Sequence, residues 1–222
     1  MYPISVIIVG GGAEARRVLE ILESDRSTHV AIGWVEGPEP VDTGEMNCPS
    51  IPHLGTFEGP ALLHSCQGVV LASEEPSARR EVLARLHQVG LKALTLIHPR
   101  AIVSDSARIG QGVVVHAGAV IEAKATIGKG ARVGSLSTLG VGCRIGDSAF
   151  IGHGVHCGSE SRLGEGVSVG YGSVILDDVL VGPDCVIGPS SQVADDILAG
   201  SCLWELGTVE REISSHPELD QG

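Results

Sequence analysis

From Ile97 to Val193 an aliphatic residue or Cys recurs at every sixth position, without one insertion or deletion. The series opens Ile97, Val103, Ile109, Val115 and ends Val181, Ile187, Val193. The fourth residue after each is small or aliphatic, as in Ala101, Ala107, Val113 and Ala119, and the next residue is usually Gly, as in Gly110, Gly128, Gly134 and Gly140. No α-helix can use this period, because 3.6 residues per turn would smear the set around its circumference. A hexapeptide period is the mark of a parallel β-helix, whose coils stack their aliphatic rungs into a column.

Composition agrees with a narrow interior. Aromatics make up 3% of the chain and there are 31 glycines, so the core must come from branched aliphatics and small residues. A net charge of −12 argues against nucleic-acid binding, which needs a basic footprint. The six cysteines include Cys48, Cys66 and Cys202, and no CxxC occurs. Cys143, Cys157 and Cys185 occupy apolar or small hexad positions and are expected as buried apolar residues, neither disulfides nor metal ligands. No apolar run approaches the roughly 18 residues of a membrane span, and the apolar start reads as a strand, so the expected location is cytoplasmic.

Residues 1–96 have a different texture. Residues 6–10 form a continuous apolar strand, Gly10, Gly11 and Gly12 a tight turn, and residues 13–24 a helix with Val18, Leu19, Ile21 and Leu22 on one stripe. Further strands are expected at 30–36, 69–73 and 93–97, a second helix at 77–89, and a loop over 37–55. Strand–helix alternation of this kind means a small parallel α/β unit, and its last strand feeds the solenoid without a linker. Residues 97–198 are the solenoid and 199–222 a cap and tail. In that tail Leu203, Trp204 and Leu206 are placed to close the open end, residues 210–213 read as a helical fragment, and residues 214–222 as disordered.

The strand and glycine turn at residues 6–15, the junction Ile97-His98-Pro99-Arg100-Ala101 and the hexads together resemble one family. It is the hexapeptide-repeat acyltransferases of nucleotide-linked amino sugars and sialic acids, with an N-terminal Rossmann-like domain. The resemblance implies that domain over residues 1–96, a left-handed β-helix over 97–198, and a homotrimer. It implies acetyl-CoA as co-substrate between neighbouring solenoids, a nucleotide-linked sugar at the N-terminal domain, and a histidine base. The remaining partners are expected to include no metal, nucleic acid or membrane.

Laid on the family pattern, the base position is Val141 and its acidic neighbour Gly142, while a second family histidine falls on Phe150. Valine cannot accept a proton, so the candidate catalytic residues become His153 and His156. His153 lies two places after a rung, as the family base does, but one face away. The candidate substrate contacts are Gly10, Gly11, Gly12 and Glu36: backbone N–H groups of the turn for phosphate, and the carboxylate for ribose or base. Glu14 stands where the family usually has His, and a carboxylate there would repel a pyrophosphate. Between Leu163 and Glu210 there is no Lys or Arg, so cations for CoA would come from a neighbouring chain's Arg100, Arg108, Lys124, Lys129, Arg132, Arg144 or Arg162. Arg79 and Arg80 open the second helix, as phosphate contacts or solvated charges. Two functions stay open: an acyltransferase whose base is relocated, and a catalytically silent relative that binds a sugar nucleotide or acts as a scaffold.

Overall fold

A computed structural model describes residues 3–24, 28–38, 50–57 and 66–204, together with the backbone of Val209–Arg211. The first part is a parallel sheet of β1 (Ile4–Gly10), β2 (His29–Glu36), β3 (His53–Thr56) and β4 (Gly68–Ala72), in the order β3-β2-β1-β4. Among the described residues two helices accompany it, α1 (Gly12–Ser24) and α2 (Pro76–Gln88). The alternating faces of β1 explain the layering. Val6 and Ile8 pack with Val18, Leu19, Ile21 and Leu22 of α1, whereas Ile7 and Val9 pack with Val82 and Leu86 of α2. Both faces are covered, which is why the strand reads as an unbroken apolar run.

The structure departs from the sequence reading in three places here. The stretch expected as loop ends in a strand, β3, paired with β2. The expected fourth strand at 93–97 is split: Ala93 bridges to Val69, but Leu96–Ile97 is already the first strand of the solenoid. The tail segment read as helical is instead the strand Val209–Arg211, antiparallel to Ser201–Leu203. Cys48, Leu206 and residues 214–222 lie outside the described residues.

The solenoid is built from two-residue strands that pair with the strand 18 positions on, as Thr126 pairs with Arg144 and Arg144 with Arg162. Three hexads therefore make one coil and generate three sheets. In each strand the second residue is the rung and points inward, and the first points outward. Ile121, Val133, Leu139, Ile151, Cys157 and Ile175 line the column with almost no exposure, each contributing about 1.5–3 kcal/mol by burial. Cys143, Cys157 and Cys185 are fully buried and unbridged, as their hexad positions implied.

The glycines after the rungs are explained by contact and not by dihedral. A Cβ at Gly134 would stand 2.4 Å from the Gly152 carbonyl of the next coil. The left-handed backbone falls two places later, at Gly142 (φ +70) and also at Glu160 (φ +56) and Ser148 (φ +56).

One face of the solenoid carries Leu96, Val114, Arg132 and Phe150 at its outward positions, and all four are buried. Leu96 and Val114 pack with Val6, Ile8 and α1 of the N-terminal unit. A second face presents Ile102, Thr138 and His156 outward, and a third Arg108, Arg144 and Arg162.

Candidate functional site

Gly10 closes β1 where a Cβ would stand 2.0 Å from the Ala72 carbonyl at the end of β4. Only glycine lets the two strand ends approach so closely, and the chain then turns directly into α1. Gly10, Gly11, Gly37, Ser73 and Arg79 enclose a crevice of about 20 Å³ at these strand ends, room for about one water. Glu36, at the end of β2, pairs with His53 Nε2 at 3.4 Å, and His53 stacks on Trp34. The predicted substrate contacts thus share one end of the sheet.

Glu14, in the first turn of α1, does not face that end. It is 3% exposed and turned onto the solenoid. Arg132, 1% exposed, grips it side-on, Nε to Oε1 at 2.7 Å and Nη2 to Oε2 at 2.8 Å. His116 Nε2 lies 2.8 Å from Oε1 and Arg17 Nη1 donates to Oε2 at 3.1 Å. Four contacts use the acceptor capacity of the carboxylate. Burial alone pushes the Glu14 pKa up, but the hydrogen bonds from His116 and Arg132 outweigh it and hold the group well below the usual carboxylate range. The expected repulsion of a pyrophosphate by Glu14 is therefore corrected: its charge is neutralised inside the junction.

The network continues to the surface. Arg17 Nη1 also reaches Glu74 Oε1 at 3.1 Å, and the Tyr171 hydroxyl donates to Glu74 Oε2 at 2.9 Å. The Arg132 guanidinium lies 4.9 Å over the Phe150 ring, and Tyr171 stacks on His153 with ring centroids 5.3 Å apart. Of the candidate bases, only His153 belongs to this cluster. Its Nε2 is 3.1 Å from Arg132 Nη2, and its Nδ1 accepts the Ser135 backbone N–H at 2.8 Å. Burial, and then the Arg132 charge, lower its pKa to about 4. His156 lies on the second face, exposed, and makes no side-chain hydrogen bond among the described residues. Val141, 42% exposed, sits at the corner leaving that second face.

The two arginines read as phosphate contacts or solvated charges part company: Arg79 is buried, while Arg80 forms a half-exposed surface ion pair. Arg79 is buried and donates to the carbonyls of Ser73 and Ser148, at 2.6 Å each. Arg80 bonds Asp184 at 2.8 Å and reaches Glu165 at 3.5 Å. Both clamp α2 to the solenoid. Arg132, expected among the cations for CoA, is instead buried on Glu14, and the meeting of Arg132 and His116 with Glu14 was not foreseen from sequence. A signal was present: Leu96, Val114 and Phe150 are apolar at outward positions one coil or two coils apart, which marks the face that the N-terminal unit covers. No group of three or more His, Cys, Asp or Glu among the described residues is arranged to hold a metal ion. No helix among them is long and apolar enough to cross a membrane.

The chain matches no protein-family model and no curated protein. It does match solved structures along nearly its whole length. The acetyltransferase domain of PglB from Neisseria gonorrhoeae FA1090 is 26% identical with a TM-score of 0.79, the match covering 93% of this chain and 98% of that one. The same domain in complex with acetyl coenzyme A gives 26% identity and a TM-score of 0.79, over 94% and 99%. PerB from Caulobacter crescentus, in complex with CoA and GDP-perosamine, is 26% identical with a TM-score of 0.73, over 93% and 97%. The chain thus resembles acetyl-CoA-dependent acyltransferases that act on nucleotide-linked sugars.

Proposed function

We propose that this chain transfers the acetyl group of acetyl-CoA to the amine of a nucleotide-linked amino sugar. The observation that carries the proposal is the match, over 94% of this chain, to an acetyltransferase domain in complex with acetyl coenzyme A. The N-terminal sheet order β3-β2-β1-β4 supports a Rossmann-like reading, with its topological switch point between β1 and β4. Ligands of such sheets sit beyond the carboxyl ends of the strands, where Gly10, Gly11, Gly12 and Glu36 lie. The homotrimer of left-handed solenoids belongs to the same proposal. Exposed Ile102, Leu136, Val141, Leu176 and Leu180 along the solenoid favour its packing against further copies.

In the reaction the amine nitrogen attacks the thioester carbonyl, the C–S bond breaks, CoA leaves as a thiolate, and the nitrogen gives up a proton. Val141 cannot take that proton. His153 is poorly suited, because a donor already faces each of its ring nitrogens. His156, exposed and unengaged among the described residues, is the imidazole that takes it.

Release of CoA thiol in the presence of UDP-, GDP- and dTDP-linked amino sugars tests the activity. Saturable release with one of them is expected, and acetyl-CoA hydrolysis alone would refute the transfer. His156→Ala should lower kcat by about 10²–10⁴. Unchanged turnover would remove His156 from the mechanism and send the proton to the departing thiolate. A second reading, a silent sugar-nucleotide-binding relative, is favoured by the exposed Val141 side chain. It predicts nucleotide-sugar binding with no thiol release.

A further inference from the structure

The corners of the solenoid repeat a hydrogen bond that fixes the chemistry of His153. Where the chain leaves a rung, the N–H of the second corner residue is taken by the side chain at the matching position of the next coil. Asp147 Oδ1 accepts from Lys129 N at 2.8 Å, and Asp177 Oδ1 accepts from Ser159 N at 2.7 Å. His153 fills the same slot, its Nδ1 accepting from Ser135 N at 2.8 Å. A neutral imidazole has one lone pair available in its plane, so Nδ1 carries it and Nε2 carries the proton. The coil geometry therefore selects the tautomer.

That proton points at another donor. Nε2 faces Arg132 Nη2 at 3.1 Å, and Arg132 is itself held by Glu14, whose oxygens already take four contacts. Two N–H groups meet, and an oxygen that accepts from both relieves the meeting. The groups facing the ring are Arg132, Arg17, His116, Glu14 and Tyr171, and Glu74 joins them, its Oε2 on the Tyr171 hydroxyl and its Oε1 3.1 Å from Arg17 and 3.5 Å from Arg132 Nη2. The two arginines offset the two glutamates, so an anionic oxygen meets no unbalanced carboxylate. The ring is only partly buried, beside the exposed Tyr171, and is one residue, Arg132, removed from the first turn of α1.

We propose that His153 is a substrate-binding donor whose Nε2–H holds a phosphoryl oxygen of the nucleotide-linked sugar, and is not a base. The inference rests on the nucleotide-sugar reading above and adds the residue and the group it recognises. It also assigns Arg132 a positioning role, since its grip on Glu14 sets where the N-terminal helix stands relative to His153. The depressed pKa of the ring agrees, because it keeps the imidazole neutral throughout the neutral range.

Long-range proton–nitrogen NMR spectra of the intact, 15N-labelled protein at neutral pH read the tautomer directly. Protonated Nε2 is expected, and protonated Nδ1 would overturn the proposal. Inorganic pyrophosphate, UDP and GDP are then added separately, with uridine and guanosine as controls. Movement of the His153 ring signals with at least one diphosphate-bearing probe, and not with the nucleosides, is the expected result. Signals unmoved by pyrophosphate, UDP and GDP alike, or moved equally by the nucleosides, would refute it. His153→Leu should weaken binding of the responding probe by about tenfold or more, whereas His153→Gln, which keeps an N–H donor and cannot act as a base, should stay within about threefold. Equal losses in both variants would refute the donor role. None of these measurements needs acetyl transfer. A silent protein whose His153 responds disproves only the activity, and an active one whose His153 does not respond disproves only this inference.

Discussion

Replacing Arg132 by Met tests whether the buried ion pair fixes the junction between the two parts of the chain. Arg132 and Glu14 are 1% and 3% exposed and joined by two short hydrogen bonds, at 2.7 and 2.8 Å. Removing the cation leaves Glu14 buried with His116 and Arg17 as its remaining partners. Breaking a buried pair from one side typically costs about 3–5 kcal/mol, a large share of the roughly 5–15 kcal/mol that holds a domain folded. Glu14→Met should cost a similar amount, because it leaves the buried guanidinium over Phe150 with the half-exposed Glu74, at 3.5 Å, in place of two short hydrogen bonds. The double variant should be milder than the sum by at least about 2 kcal/mol, since two apolar side chains can pack beside Val114 and Phe150 without a buried charge. Urea unfolding at one fixed protein concentration, with linear extrapolation, measures all three. Single-variant costs that simply add, within about 0.5 kcal/mol, would refute the reasoning.

Other consequences can be checked with the same material. His153 has a folded pKa of about 4 against an ordinary 6.5, so on acidification the unfolded chain takes up its proton first and stability falls as pH drops from 6.5 towards 4. Glu14, held below its ordinary 4.5, contributes stability that is present above that value and lost below it. Urea midpoints near pH 7.5, about 4.5 and about 3 should therefore decline in two stages, the first from His153 and the second from Glu14. His153→Gln should flatten the first stage, and an unchanged profile would contradict the assignment. Leu139→Ala should cost about 2–5 kcal/mol, as the rung has no exposure, whereas Thr138→Ala on the outer face should stay within about 0.5 kcal/mol. Chemical denaturation distinguishes them, and equal costs would refute the inward–outward assignment. Gly142→Glu should destabilise the corner, because φ is +70, a backbone that side chains rarely adopt, and a second carboxylate would stand beside Glu160. A thermal melt matching wild type would argue against that corner geometry. Installing a base at this corner is better done by Val141→His alone.

The repeat was legible because a solenoid states its register in every coil. Each rung named itself by period, and the buried cysteines followed from their hexad positions. In the N-terminal part β1, β2, β4 and both helices were legible from local apolar patterns, whereas β3 was expected as loop and the strand expected at 93–97 is split. What the sequence did not display was which solenoid face the N-terminal unit covers, since that depends on how two elements far apart in sequence meet. Glu14 was consequently read as a charge beside a ligand, when it is the centre of a buried junction with Arg132 and His116. Arg79 was misread similarly, because the Ser148 carbonyl that it meets lies 69 residues away on the solenoid. His153 was recognised as unusual from its place after a rung. Only the Ser135 contact shows that this place dictates its tautomer.

The central claim, a whole-length likeness that carries acetyl-CoA-dependent transfer, is tested most directly by isothermal titration calorimetry of the intact protein with acetyl-CoA. The account predicts saturable binding at one acetyl-CoA per chain, retained in His156→Ala, whose role is confined to the proton. No measurable heat with acetyl-CoA raised into the millimolar range would contradict it.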